Sequence, residues 1–590
     1  MRSFLKIFLA MLLALIVFSL IAFFFIAGMA GNVVSSSMPV LTEKSVLKID
    51  LSEAYVELPQ SDLRSMVQSQ KLEETPSLYD FIRLIKKAKT DEKIKAIYLV
   101  ANSNANGFAS SEEMRRALDD FKKSGKPVIA YGNTMTQKAY SIANVADKVY
   151  VSPAGDFEWT GFSVNYMFLK GALDKLEIHP QIFYAGKFKS ATEPLRVEKM
   201  TEANQLQTSV WLNDLYSDFL QKTATARKLD TASLHQWANT GLITTPQIAA
   251  EHKLIDGVRY DDELQTELKK TLKIDSDNKI NFISVGQYAR LNTDLGGSGD
   301  KIALIYAAGD IVDGNKQEGV ISDGAYIDLL RKARLDASIK AIVVRVNSGG
   351  GSALASDNIW REMKMAKAVK PVVVSFGDVA ASGGYYMSCA ADSIFALPNT
   401  ITGSIGVFGI IPDISAFMKN KLGVTFDGVG TGPLANAGAA DHPMTLQEQK
   451  IVQGSVERVY DQFKARVAEG RKKDTAYIET IAQGRVWTGF RAKDIGLVDR
   501  WGGLQDAINA AARMAKLSEF RVKEYPNYSS LLERILRIKG GEEAASSMIK
   551  KELGNEYASA YQQLRSLHRM TNSLQARLPF TFFINAPQKF

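Results

Sequence analysis

The stretch IKAIVVRVNSGGGSALASDNIWREM, residues 339–363, decides the fold. It opens on a continuous apolar run, IKAIVVRV, of the kind a parallel strand buried on both faces carries. It then breaks at three glycines and continues with the spacing of an amphipathic helix. After Lys370 and Pro371 a second buried run follows, VVVSF from Val372. Strand alternating with helix in this way predicts an α/β unit on a mostly parallel sheet.

The same grammar is written twice. IKAIYLVANSNANGFASSEEMRRAL, from Ile94, aligns with the stretch from Ile339 at an offset of 245 residues. KPVIAYG from Lys126 aligns with KPVVVSFG from Lys370, and Ala146 and Asp147 align with Ala391 and Asp392. Thr160 and Gly161 match Thr402 and Gly403, and LIDG from Leu254 matches LVDR from Leu497. Five segments in one order at a nearly constant offset mean duplication. The glycine-rich, polar LGGSGD at residues 295–300 reads as the joint, which gives a first repeat over 44–290 and a second over 300–525. Residues 526–590 lose the pattern. They read as an amphipathic helical extension that ends on an aromatic patch, LPFTFFINAPQKF.

Ahead of the repeats, residues 7–30 (IFLAMLLALIVFSLIAFFFIAGMA) carry no charge. A bilayer core takes about 20 helical residues to cross, so this run predicts a transmembrane anchor. It is longer than the roughly 7–15-residue apolar region of a cleaved signal peptide. Arg2 and Lys6 precede it, so the positive-inside rule keeps residues 1–6 in the cytoplasm and sends the body across the membrane. In a bacterium the body is then periplasmic, on the inner membrane.

Composition excludes several classes. Of the 590 residues, 46% are apolar and 23% charged, as in an ordinary folded protein. A net charge of +8, from 72 basic and 64 acidic residues, comes with no nucleic-acid motif, so no nucleic-acid partner is expected. The single cysteine, Cys389, permits neither an internal disulfide nor a multi-cysteine metal site, and its alanine-rich surroundings predict core packing. No cofactor motif is present.

Chemistry is sought where the copies differ. The second repeat reads TGS at 402–404 and the first reads TGF at 160–162, so Ser404 stands where Phe162 stands in the other copy. Glycines around Ser404 let a substrate backbone approach closely. A serine nucleophile needs a base, and none of the five histidines (His179, His235, His252, His442, His568) lies beside an orienting acid at a strand end. A lysine serves if burial brings its pKa from about 10.4 toward roughly 7–8. The candidate is Lys189 in FYAGKFKSATEP, for which the second repeat has Pro433. Lys187, two residues away, would share a face with it on a strand, so spacing does not separate the two. VNSGGGSA, residues 346–353, offers free amides to an oxyanion between strand and helix, with Gly350 and Gly351 as the expected donors. Ser382 in DVAASGGYYMS is a competing nucleophile at an expected strand-to-helix turn. Its counterpart region, Thr136 to Tyr140, differs at many positions and isolates nothing.

With RVNSGGGSALASD, DVAASGGYYMS, ITGSIGVFG, GKFKSATEP and VWTGFRAKDIGLVD in place, the chain up to about residue 525 resembles the signal peptide peptidase A (protease IV) family, in its long tandem-repeat form. The resemblance implies two ClpP/crotonase-like repeats, Ser404 as nucleophile and Lys189 as general base and acid. It also implies a membrane-bound homotetramer that degrades cleaved signal peptides, without cofactor or metal. Gly349 departs from the proline that many relatives carry before the two glycines. Two other readings compete, a crotonase-type acyl-CoA enzyme and a non-catalytic membrane scaffold.

Overall fold

Each repeat builds a sheet in the same strand order. In the first, the strands run Gly257–Val258, Lys148–Val151, Val128–Gly132, Ile94–Val100, Ser45–Asp50 and Phe282–Ser284, all parallel. In the second, Arg500–Trp501, Ser393–Ala396, Val372–Ala381, Ile339–Ser348, Asp300–Ala308 and Phe520–Tyr525 repeat that order, again parallel. The computed structural model describes residues 11, 17, 40–58, 75–292, 297–315, 319–526 and 574–578. Of the apolar run 7–30 only Met11 and Val17 are among them, so the anchor lies outside the described residues. Among the described residues no helix is long and apolar enough to cross a membrane.

The helices form where the sequence places them, for local reasons. Leu78–Thr90 starts at Ser77, whose hydroxyl accepts from the Asp80 amide, and it ends on Lys87 and Lys89, matching its dipole. Ala353–Lys367 starts directly after the glycine stretch, with the Ser352 hydroxyl accepting from the Ala355 amide at 3.2 Å. These helices lay Phe81, Leu84 and Ile85, or Ile359, Trp360 and Met363, onto their sheets. Each such side chain removed from water contributes about 1.5–3 kcal/mol. Cys389 is fully buried in the second core.

Among the contacts that join the repeats, two position the site. A third sheet takes strands from both: Val407–Asp413 pairs antiparallel with His179–Ala185 over seven residue pairs, from Val407 against Ala185 to Asp413 against His179. Behind it, the buried Arg345 guanidinium bridges two first-repeat carboxylates, at 2.7 Å to Glu57 and 2.5 Å to Glu113. The expected helical extension falls mostly outside the described residues. Where it is described the chain is extended, as a strand Gln575–Arg577 inserted into the third sheet between Gly350–Ser352 and Val407–Asp413.

Candidate active site

The seven-pair ladder fixes the geometry of the site. Ser404 stands three residues before Val407 and Lys189 four residues after Ala185, so pairing Val407 with Ala185 brings the two loops together. The first-repeat strand ends at Ala185, and the chain then turns through Gly186 and Phe188 rather than continuing extended. That turn separates the two lysines. Lys187 faces solvent, while Lys189 is 1% exposed.

The Lys189 amine meets two hydroxyls and a carbonyl. Its Nζ lies 2.8 Å from Ser382 Oγ, 3.1 Å from Ser404 Oγ and 3.0 Å from the Ser404 carbonyl oxygen. Both serines are fully buried. Among the described residues no carboxylate forms an ion pair with Lys189, and burial alone pushes its pKa well below the ordinary lysine value. Desolvation disfavours the ammonium, and nothing charged restores it. Two neighbours hold the loop. The Gln207 side chain donates to the Phe188 carbonyl at 3.0 Å and to Ser190 Oγ at 2.8 Å. Gly484, at φ +73°, packs against Lys189 so closely that a Cβ there would lie 2.7 Å from its Cα.

Ser382 ends the strand Val372–Ala381 and precedes the helix Gly383–Ser388, at φ 54° and ψ −114°. This is a sparsely populated conformation for a residue with a Cβ, of the kind stored at functional turns. Its amide donates to the Gly403 carbonyl at 2.8 Å, and its carbonyl accepts from the Tyr386 amide at 2.7 Å. Ser404, at φ 49°, is held by its amide on the Arg485 carbonyl at 2.7 Å. The glycine loop packs beside Ser382: a Cβ on Gly350 would lie 2.7 Å from the Gly383 nitrogen. The Gly350 amide donates to Ser348 Oγ at 3.1 Å, and Gly351 pairs with Ala576 of the inserted strand.

The first repeat shows what the same place becomes without chemistry. At the 245-residue offset that relates Ala146 to Ala391, Gln137 aligns with Ser382. Its amide nitrogen donates to the Gly161 carbonyl at 2.9 Å and its oxygen accepts from the Thr160 and Gly161 amides. Phe162 packs on Tyr216 and Phe219. Gln137 therefore fills with a fixed amide the corner that Ser382 and Ser404 share in the other copy. The structure brings both Ser404 and the competing Ser382 against the Lys189 amine. Pro433 is exposed and carries no counterpart to the Lys189 amine. Among the described residues no group of three His, Cys, Asp or Glu side chains could hold a metal.

A buried amine of lowered basicity against paired hydroxyls, on a duplicated α/β scaffold, is an arrangement able to activate a serine for hydrolysis. The profile of peptidase family S49 matches the chain twice, over residues 120–275 and 364–518. The chain is 36% identical over 514 residues to Protease 4 of Salmonella typhi, covering 84% of this chain and 82% of that one. It is 35% identical over 457 residues to Protease 4 of Haemophilus influenzae, covering 74% and 73%. It is 34% identical over 442 residues to the chloroplastic serine protease SPPA of Arabidopsis thaliana, covering 73% and 64%. The chain belongs to peptidase family S49 and is a serine protease.

Proposed function

We propose that the protein is a membrane-anchored endopeptidase that cuts apolar peptides, cleaved signal peptides among them, with Ser382 as nucleophile and Lys189 as general base and acid. The observation that carries this reading is the 2.8 Å approach of the buried, unpaired Lys189 amine to Ser382 Oγ. The Ser404 carbonyl can only accept, so one N–H of the unprotonated amine points there, and the other N–H and the lone pair are left for the Ser382 and Ser404 hydroxyls. With the lone pair on the nearer hydroxyl, that of Ser382, the second N–H goes to Ser404 Oγ. Ser404, nominated by its replacement in the first repeat, then orients the amine that activates Ser382. The strained turn at Ser382 and the adjoining Gly350 and Gly383 backbone favour attack from there.

In the reaction Ser382 Oγ adds to the scissile carbonyl while its proton passes to Lys189 Nζ. The ammonium then delivers that proton to the leaving amine, and the acyl-enzyme ester forms. Water, deprotonated by the same amine, attacks the ester, and Ser382 recovers its proton. The oxyanion is held by backbone N–H groups of the turn after Ser382, where Gly383 meets Gly350 of the glycine loop. Both catalytic groups come from one chain, so a single copy carries a complete site.

In this reading residues 1–30 form the cytoplasmic stub and anchor. Residues 44–290 and 300–525 form ClpP/crotonase-like repeats on the periplasmic side, and 526–590 form an extension. The family resemblance supports a homotetramer and signal-peptide substrates, and the apolar run 7–30 supports the location. The test is turnover of an apolar reporter peptide by the full chain. Ser382→Ala and Lys189→Ala lose it, whereas Ser404→Ala retains a measurable fraction. Full activity in Ser382→Ala overturns the assignment.

A further inference from the structure

The third sheet is continuous only because Gln575–Arg577 completes it. Without that strand, Gly350–Ser352 on one side and Val407–Asp413 on the other present two unpaired edges across a gap. The gap runs past Ser382, since Gly350 packs against Gly383. Two facing edges beside a nucleophile are what an extended peptide needs in order to bind by main-chain hydrogen bonds, with alternate side chains going into pockets.

The chain's own segment Leu574–Leu578 lies there in that manner. It runs antiparallel to the glycine loop in the register Gly350 to Arg577, Gly351 to Ala576 and Ser352 to Gln575. The ladder is closed at both ends, by the Leu578 amide on the Gly349 carbonyl at 2.8 Å and the Ala353 amide on the Leu574 carbonyl at 3.1 Å. Ala576 is fully buried. A Cβ on Gly350 would lie 2.1 Å from its carbonyl oxygen, and one on Gly383 would lie 3.0 Å away. That oxygen therefore occupies the niche between the glycine loop and the turn after Ser382, where a scissile carbonyl belongs. In the two residues that follow, Arg577 pairs with Asp310 at 2.7 Å and Leu578 packs in an apolar cluster with Trp211, Ala381 and Val486.

We propose that Leu574–Leu578 is a tethered pseudo-substrate, seated in the peptide groove with Ala576 at the position of the residue whose carbonyl is attacked, and that it must withdraw before a peptide can bind. The proposal rests on the peptidase reading above. Because the segment belongs to the same chain, it competes at an effective concentration that a free peptide at micromolar levels does not reach. Small, fully enclosed Ala576 and the Asp310 carboxylate further imply that the groove takes a small residue followed by a basic one.

The test uses the full-length protein and two variants, Ala576→Asp, which places a charge in the closed niche, and Arg577→Glu, which opposes Asp310. A minor open state of about 1–10% reduces apparent activity by that fraction. Expulsion of the strand is therefore expected to raise kcat/KM for a short reporter peptide about tenfold or more. Hydrogen exchange at the Ala353 amide should quicken in parallel, with the melting transition retained. A synthetic peptide spanning residues 571–580 should inhibit both variants competitively. Wild-type kcat/KM in both variants, with Ala353 exchange accelerated, overturns the proposal. So does undiminished protection of Ala353, since the strand is then not what covers that amide. Loss of turnover in every protein, wild type included, instead counts against the peptidase reading.

Discussion

Lys189 and Ser382 lie 193 residues apart in the chain and 2.8 Å apart in space, one contributed by each repeat. Among the described residues no charged side chain compensates the amine, so its low basicity comes from burial. That origin has consequences for both rate and stability.

Activity requires the amine unprotonated. Because burial lowers its pKa well below 10.5, kcat/KM should climb with pH through a limb that lies well below the ordinary lysine range. A pH–rate profile measures this directly. Retention of a limb near 10.5 would mean that the amine is solvated in the working enzyme.

The same burial costs stability. The unfolded chain holds the Lys189 proton more tightly than the folded one, so stability from this group rises with pH between the lowered folded pKa and 10.5. Lys189→Met should therefore abolish turnover while raising stability at neutral pH by about 0.5–2 kcal/mol, as replacements at functional sites commonly do. Denaturant titration at neutral pH gives the sign.

Gly484 should be intolerant of any side chain. At φ +73°, with a Cβ that would sit 2.7 Å from Lys189 Cα, Gly484→Ala has to displace the lysine loop. A shift of about 1 Å in a catalytic group can cost about 10²-fold in rate. The expected result is a loss of that order in kcat with KM little changed, read from steady-state kinetics.

The joint between the repeats titrates near neutrality. Burial raises the Glu57 carboxyl from 4.5 to about 7, opposed by Arg345 and reinforced by Glu113. The folded protein thus binds this proton more tightly than the unfolded chain. Its stabilising contribution is complete below pH 4.5 and is lost as pH rises through about 7. Glu57→Gln should flatten the melting temperature against pH over that window, as calorimetry across it would show. Arg345→Met strands two buried carboxylates and should cost about 3–5 kcal/mol.

Much of this arrangement was legible in the residues, and the rest was hidden for physical reasons. The duplication showed because buried parallel strands must be apolar on both faces, so IKAIYLV and IKAIVVRV stay alike; the two sheets accordingly share one strand order. Lys189 showed because only the first repeat has a lysine there. Its separation from Lys187 did not show, because a strand pattern cannot report that the chain turns at Gly186. Ser404 stood out by contrast with Phe162, while Ser382 was named only as a competitor, because its counterpart segment differs at many positions together. The five residues Leu574–Leu578 carry no periodicity long enough to read. Their strand exists only because two distant edges leave a place for it.

The most direct measurement is the mass-spectrometric location of a serine-reactive fluorophosphonate on the full-length protein at neutral pH. One modified residue, Ser382, is expected, with labelling lost in Lys189→Ala. Modification of Ser404 instead, or equally fast labelling without the Lys189 amine, would contradict it.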